Sequence, residues 1–246
     1  MVQAYRDQRY YRRGEYRAVP MTEEEVRQRY ERILAASTWV DSFLAGPEMS
    51  YLRDRLPGPF RSNYVLCPLL PQHVDFARHD ARDWLRHHPY TSGHFYPSPY
   101  GVRTELQIDR GEWQPIAEIH SNGAISHWSE PNVDPTERAD EFTLAYRAEF
   151  PVLYRFLMYA SELYRFIGYM GPLHARIEIR GTRAQYTLVL PYGDFKSDWP
   201  KLLSAENSLK VLVDVSAATL VTEPSAIYDS LVRRVYQAFG IWEGPD

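Results

Sequence analysis

The sequence predicts an α+β fold: a mainly antiparallel sheet of about six strands with helices packed on it, preceded by a short N-terminal hairpin and a long helix. Three observations lead there. Strand-like segments come in adjacent groups without regular strand–helix alternation. Asn122-Gly123 separates two such segments and is a strong hairpin signal. Several other segments carry apolar stripes at helical spacing.

The elements follow in chain order. From Ala4 to Arg13 aromatic and polar residues interleave as in a strand, Gly14 permits a turn, and Glu15 to Val19 reads as a second short strand. Thr22 with Glu25 forms a capping box, and Val26, Tyr30, Ile33, Leu34, Val40 and Leu44 keep a helical stripe up to Gly46-Pro47. Pro57-Gly58-Pro59 marks the best boundary, dividing residues 1–56 from an α+β domain over 57–246. Asn63–Leu70 reads as a buried strand and Val74–His87 as a helix. After a Gly/Pro loop, strands are expected near Val102–Asp109, Trp113–Ser121 and Ala124–Trp128. Asp134-Pro135-Thr136-Glu137 carries helix-start signals, and that helix should be kinked or divided at Pro151 before Gly168. Leu173–Arg180 and Ala184–Leu190 suggest a hairpin around Gly181, followed by a strand near Ser208–Val215 and a helix near Ser225–Phe239.

Composition narrows the class. The chain has 246 residues, 44% hydrophobic and 24% charged, which is ordinary for a globular protein. Its net charge of −4 hides an asymmetry, because residues 1–20 carry five arginines against Asp7 and Glu15. Cys67 is the only cysteine, so no disulfide forms within one chain. No apolar run approaches the roughly 20 residues a membrane span needs. The expected location is the cytoplasm, with no membrane partner, and a homo-oligomer is compatible with the sequence.

Chemistry is harder to find. There is no Gly-x-Ser-x-Gly elbow and no phosphate-cradling glycine loop. Cys67 lies in an apolar strand, where a thiol usually serves as a small hydrophobe. Asp75, His79, Asp83 and His87 recur at every fourth residue, a spacing that metal chelation shares with ordinary solvated helix faces. A two-residue Asn122-Gly123 loop would set Glu118 opposite His127 with His120 on the same face, a candidate metal triad on an otherwise solvated strand face. The aromatic run from Phe150 to Met170 could line a ligand pocket, yet Leu153, Phe156, Leu157, Ala160, Leu163 and Ile167 have core spacing. Finally, Arg6, Arg9, Arg12, Arg13 and Arg17 interleave with Tyr10 and Tyr11. Guanidinium for phosphate and flat rings for bases suit single-stranded nucleic acid, while an edge strand guarded by charge explains the same pattern.

The stretch from Gln8 to Glu31 resembles the end of the Schlafen-type AlbA-like domain, a nucleic-acid-binding module of bacterial proteins. Tyr10, Tyr11, Arg13, Gly14, Pro20, Met21, Thr22, Glu25 and Val26 match its Tyr/Phe-Tyr-x-Arg-x-Gly and Pro-Met-Ser/Thr-x-x-Glu segments, with an arginine shift around the glycine. The segments Ile116–Trp128 and Gly168–Leu190 are similar to hairpins of the region that follows this domain in part of the family. The resemblance implies that residues 1–56 are the tail of such a domain plus a connecting helix. It supplies no catalytic residue, because the family's acidic and basic groups lie upstream, and His120 and His127 belong to none of its motifs. The function it implies is non-catalytic support of nucleic-acid recognition or assembly, without a cofactor. The alternatives are a metal-dependent hydrolase using Glu118, His120 and His127, and a ligand-sensing module with an aromatic pocket.

Overall fold

Thr22 begins the first long helix in the way its side chain dictates. Its Oγ1 accepts the Glu25 amide at 3.2 Å while its own amide donates to Glu25 Oε2 at 2.9 Å. The helix α1 then runs Glu23–Ala45 and stops at Gly46. The computed structural model describes residues 2–4, 9–13, 18–20, 22–49, 62–90, 94–104, 108–109, 112–113, 116–129, 134–135, 142–180, 186–189, 202–203 and 208–240. Arg6, Gly14, Arg17, the Pro57-Gly58-Pro59 boundary and Gly181 lie outside them, as do the side chains of Val26, Tyr30, Ile33 and Leu34.

Before α1 stand β1 (Val2–Ala4), β2 (Arg9–Arg13) and β3 (Ala18–Pro20), a three-stranded antiparallel sheet. The expected first strand is therefore two, which pair with each other through Ala4 and Arg9. β2 pairs again with β3 through Arg13 and Ala18, so the arginine-rich strand is the middle one.

After α1 the order is β4 (Ser62–Pro68), α2 (His79–His87), β5 (Phe95–Ser98), β6 (Gly101–Thr104), β7 (Ile108–Asp109), β8 (Glu112–Trp113), β9 (Ile116–His120) and β10 (Ile125–Ser129). Then come β11 (Asp134–Pro135), β12 (Phe142–Ala145), α3 (Tyr146–Ile167), β13 (Pro172–Arg180), β14 (Tyr186–Val189), β15 (Leu202–Leu203), β16 (Ser208–Ser216), α4 (Ala217–Thr222) and α5 (Pro224–Ala238). The body is a seven-stranded antiparallel sheet in the order β16-β13-β4-β10-β9-β6-β5, with helices packed on it. A smaller sheet, β11-β12-β14-β15, contains one parallel pair, β12 with β14.

Several boundaries differ from expectation for local reasons. Asp134-Pro135 does not start a helix, since it pairs with Phe142-Thr143, and α3 begins only at Tyr146. Pro151 then sits inside α3 without ending it. β14 does not form a hairpin with β13, because β13 is already paired on both sides by β16 and β4. β5 carries Pro97 and lies at the sheet's edge, the place where a missing amide donor is tolerated. Asp75 precedes α2 and accepts the Ala77 amide at 2.9 Å in a local turn, which removes it from the expected ladder of ligands.

The middle strands are buried on both faces, which a simple apolar–polar alternation did not anticipate. Every residue of β4 is buried. On one face Tyr64, Leu66, Ile119, Ile125, Leu173 and Ile177 meet the expected stripe of α3 and the apolar side of α5. Each such aliphatic side chain contributes roughly 1.5–3 kcal/mol by leaving water. On the other face Val65, Cys67, Ala124 and Trp128 pack under Val40 and Phe43 at the C-terminal end of α1 and Met49 just after it. Trp39 Nε1 fixes that helix by donating to Pro68 O at 2.8 Å. The consequence for function is that β9 and β10 are sealed from both sides.

Candidate functional site

The central hairpin was the sharpest chemical candidate, and its register decides what it can do. His120 N donates to Ala124 O at 2.8 Å and Gly123 N to His120 O at 2.9 Å, so the loop has three residues, Ser121, Asn122 and Gly123. Gly123 holds φ at +86°, the left-handed conformation that such loops place on glycine. Asn122 Oδ1 accepts the Ala124 amide at 3.0 Å, and Tyr164 Oη reaches Gly123 O at 3.2 Å from α3. The resulting partners are Glu118 with Ser126 and Ala117 with His127.

This register is one residue away from the two-residue loop read from the sequence. Because strand side chains alternate with period two, the slip moves His127 to the face opposite Glu118 and His120. The three residues therefore do not converge. Among the described residues no group of three or more His, Cys, Asp or Glu is placed to hold a metal ion. The same holds on α2: His79 bonds Asp83 Oδ2 at 2.9 Å and His87 Nδ1 meets Asp83 O at 2.7 Å, both at the surface.

Two separate polar clusters result. Under α1, Ser98 Oγ donates to Glu118 Oε1 at 2.5 Å, and His120 Nε2 lies 3.7 Å from Glu118 Oε2 and 3.5 Å from Ser126 Oγ. Trp128 Nε1 donates to Ser126 Oγ at 3.2 Å, and the Phe43 ring meets the His120 ring edge-on. Glu118 Oε2 and His120 Nδ1 have no hydrogen-bond partner among the described residues. Loss of solvent raises the Glu118 carboxyl to about 7, against the donation from Ser98 and the charge of Arg103. Loss of solvent lowers His120 to about 3, so it is a neutral imidazole. These are two metal donors at most, with neither open to solvent, where a tetrahedral site needs four ligands.

On the opposite face His127 is fully satisfied. Tyr90 Oη lies 2.7 Å from Nδ1 and Ser129 Oγ 2.9 Å from Nε2, and the ring stacks on Tyr64 at 5.1 Å. Burial first, and then the charge of Arg155, lower His127 to about 3. A serine, an imidazole and a phenol in line have the order of a nucleophilic relay. All three side chains are buried, and the two bonds tie β10 to the segment that follows α2. Tyr90, Ser98, Ser126 and Phe43 were not singled out in the sequence. Nothing in local spacing marks them, since each meets its partner only through tertiary pairing.

Cys67 behaves as its setting predicted. It is fully buried, its Sγ lies 3.7 Å from Pro68 O, and desolvation raises the thiol to about 12. Of the arginine–tyrosine segment, Arg9, Tyr10, Tyr11, Arg12 and Arg13 lie on β2. Among the described residues no helix is long and apolar enough to cross a membrane. No family model, curated protein or solved structure matches the chain. Fold and site define the class: an α+β protein with a sealed antiparallel core and a small arginine-rich sheet that precedes α1.

Proposed function

We propose that the chain is a non-catalytic, cytoplasmic domain of a Schlafen AlbA-like nucleic-acid-binding protein, supporting recognition or assembly. Single-stranded nucleic acid would be bound along β1–β3. One observation carries this reading. The strand holding Arg9, Tyr10, Tyr11, Arg12 and Arg13 is the middle of its sheet, hydrogen-bonded on both sides. Arginines that merely guard an exposed edge belong on an edge strand, and β2 is not one. A central strand rich in arginine and tyrosine instead has the make-up of a binding surface, cations for phosphates and rings for bases. The hydrolase reading loses its support with the separation of Glu118 and His120 from His127.

The test is fluorescence anisotropy with a labelled single-stranded oligonucleotide over a salt series. Replacing Arg9, Arg12 and Arg13 together by Gln should weaken binding and reduce the salt slope by about two units, at about 0.7 per lost phosphate contact. Thermal stability should stay nearly constant. Unchanged affinity and slope in that variant would exclude the reading, and so would nuclease activity that persists through purification.

A further inference from the structure

α2 and the β5–β6 hairpin line a half-open cavity of about 490 Å³, a size typical of small-molecule sites. Its walls are apolar, built from Phe76, Leu85, Phe95 and Val102. Gly101 completes one wall and cannot be filled from its own position, because a Cβ there would stand 2.1 Å from Ile119 O. Among the described residues the remaining charged or titratable lining groups are Arg82, Arg86 and His94, and no carboxylate lines the cavity.

The local ion pairing compensates this basic lining only in part. Arg78, just before α2, is matched by Asp80 at 2.7 Å. Arg86 reaches Asp83 only at 3.5 Å, and His79 already holds that carboxylate at 2.9 Å. Asp75 is engaged by the Ala77 amide. Arg82 has no carboxylate partner among the described residues, and it is exposed at the cavity. A guanidinium in that position offers a planar, paired donor set suited to phosphate or carboxylate.

We propose that this cavity binds a small aromatic anion, its flat ring against the phenylalanine-bearing wall and its phosphate or carboxylate on Arg82 and Arg86. The apolar wall argues for the ring, and Arg82, with no carboxylate partner among the described residues, argues for the anion. The size excludes a macromolecule from the cavity itself. The site lies in the body of the protein, so it stands independently of nucleic-acid binding by β1–β3.

The experiment is isothermal titration of the full chain with 1-naphthyl phosphate, with 1-naphthol and inorganic phosphate as the two comparison ligands. Saturable binding at one site is expected for 1-naphthyl phosphate, about tenfold weaker binding for 1-naphthol, and no saturable binding for inorganic phosphate. Arg82→Gln should weaken 1-naphthyl phosphate about tenfold, and Arg233→Gln on α5 should leave it unchanged. Ala77→Trp, which fills the cavity, should abolish binding. If that variant does not fold, the exposed Arg82 substitution decides alone. Equal binding of 1-naphthol and 1-naphthyl phosphate, full affinity in Arg82→Gln, or no heat with 1-naphthyl phosphate at millimolar concentration would each overturn the proposal.

Discussion

The two faces of the β9–β10 hairpin bury polar side chains to the same extent but leave them in different states. His127, Glu118 and His120 are all at or below 1% exposure. His127 has a partner at each ring nitrogen and an aromatic ring stacked on it. Across the sheet, Glu118 Oε2 and His120 Nδ1 have none among the described residues. A closed network stabilises one arrangement of the core, whereas an unsatisfied buried group costs about 1–3 kcal/mol. The difference teaches that burial alone does not define a polar cluster's role. What matters is whether each donor and acceptor is answered, and here the answer changes across the thickness of one sheet.

The largest effect should come from breaking the closed side. His127→Ala removes a packed ring and takes one hydrogen-bond partner from each of Tyr90 and Ser129, so it should destabilise the protein by about 3–5 kcal/mol in urea unfolding. A loss below about 1 kcal/mol would mean that the network is not closed as described.

Glu118, on the face under α1, should make stability fall as pH rises. Glu118 titrates near 7 folded against 4.5 unfolded. Between those values the folded state keeps a proton that the unfolded state has lost, so the associated stability is present below 4.5 and lost as pH rises through 7. Glu118→Gln should therefore gain on the wild type as pH rises from 4.5 to 8, by on the order of 3 kcal/mol. The two histidines, near 3 folded against 6.5 unfolded, act the other way and are lost as pH falls from 6.5 toward 3. Melting curves from pH 4.5 to 8 compare the two proteins directly, and parallel curves would show that Glu118 ionises freely.

The smallest effect is expected at Ser98, whose hydroxyl supports only one carboxylate oxygen. Ser98→Ala should cost about 1 kcal/mol at pH 8 and less at pH 5, because the protonated carboxyl needs the donor less. An equal loss at both pH values would assign Ser98 a packing role instead.

Much of the fold was legible because local chemistry fixes it. The Thr22–Glu25 capping box and the α3 stripe from Leu153 to Leu163 depend on near neighbours, and both are found as read. The site was less legible. Asn122-Gly123 fits a two-residue loop and also a three-residue loop with glycine in the left-handed position, and the two registers put His127 on opposite faces. Which one forms is settled by contacts far along the chain, including Tyr164 on the turn and the 72–74 segment bonded to Ser121 and Asn122. The placement of β14 beside β12 is equally non-local. The cavity by Arg82 combines a helix flank with a sheet edge carrying Pro97, a segment whose prolines read as loop.

The reading of the body as non-catalytic turns on the hairpin register, and one measurement addresses it directly. Protein purified without chelator, loaded with zinc or manganese and desalted, should carry well under one equivalent of metal per chain. Glu118→Gln, His120→Ala and His127→Ala should not change that value in common. One equivalent of metal, lost in all three variants, would put the three side chains in one site and contradict the register described.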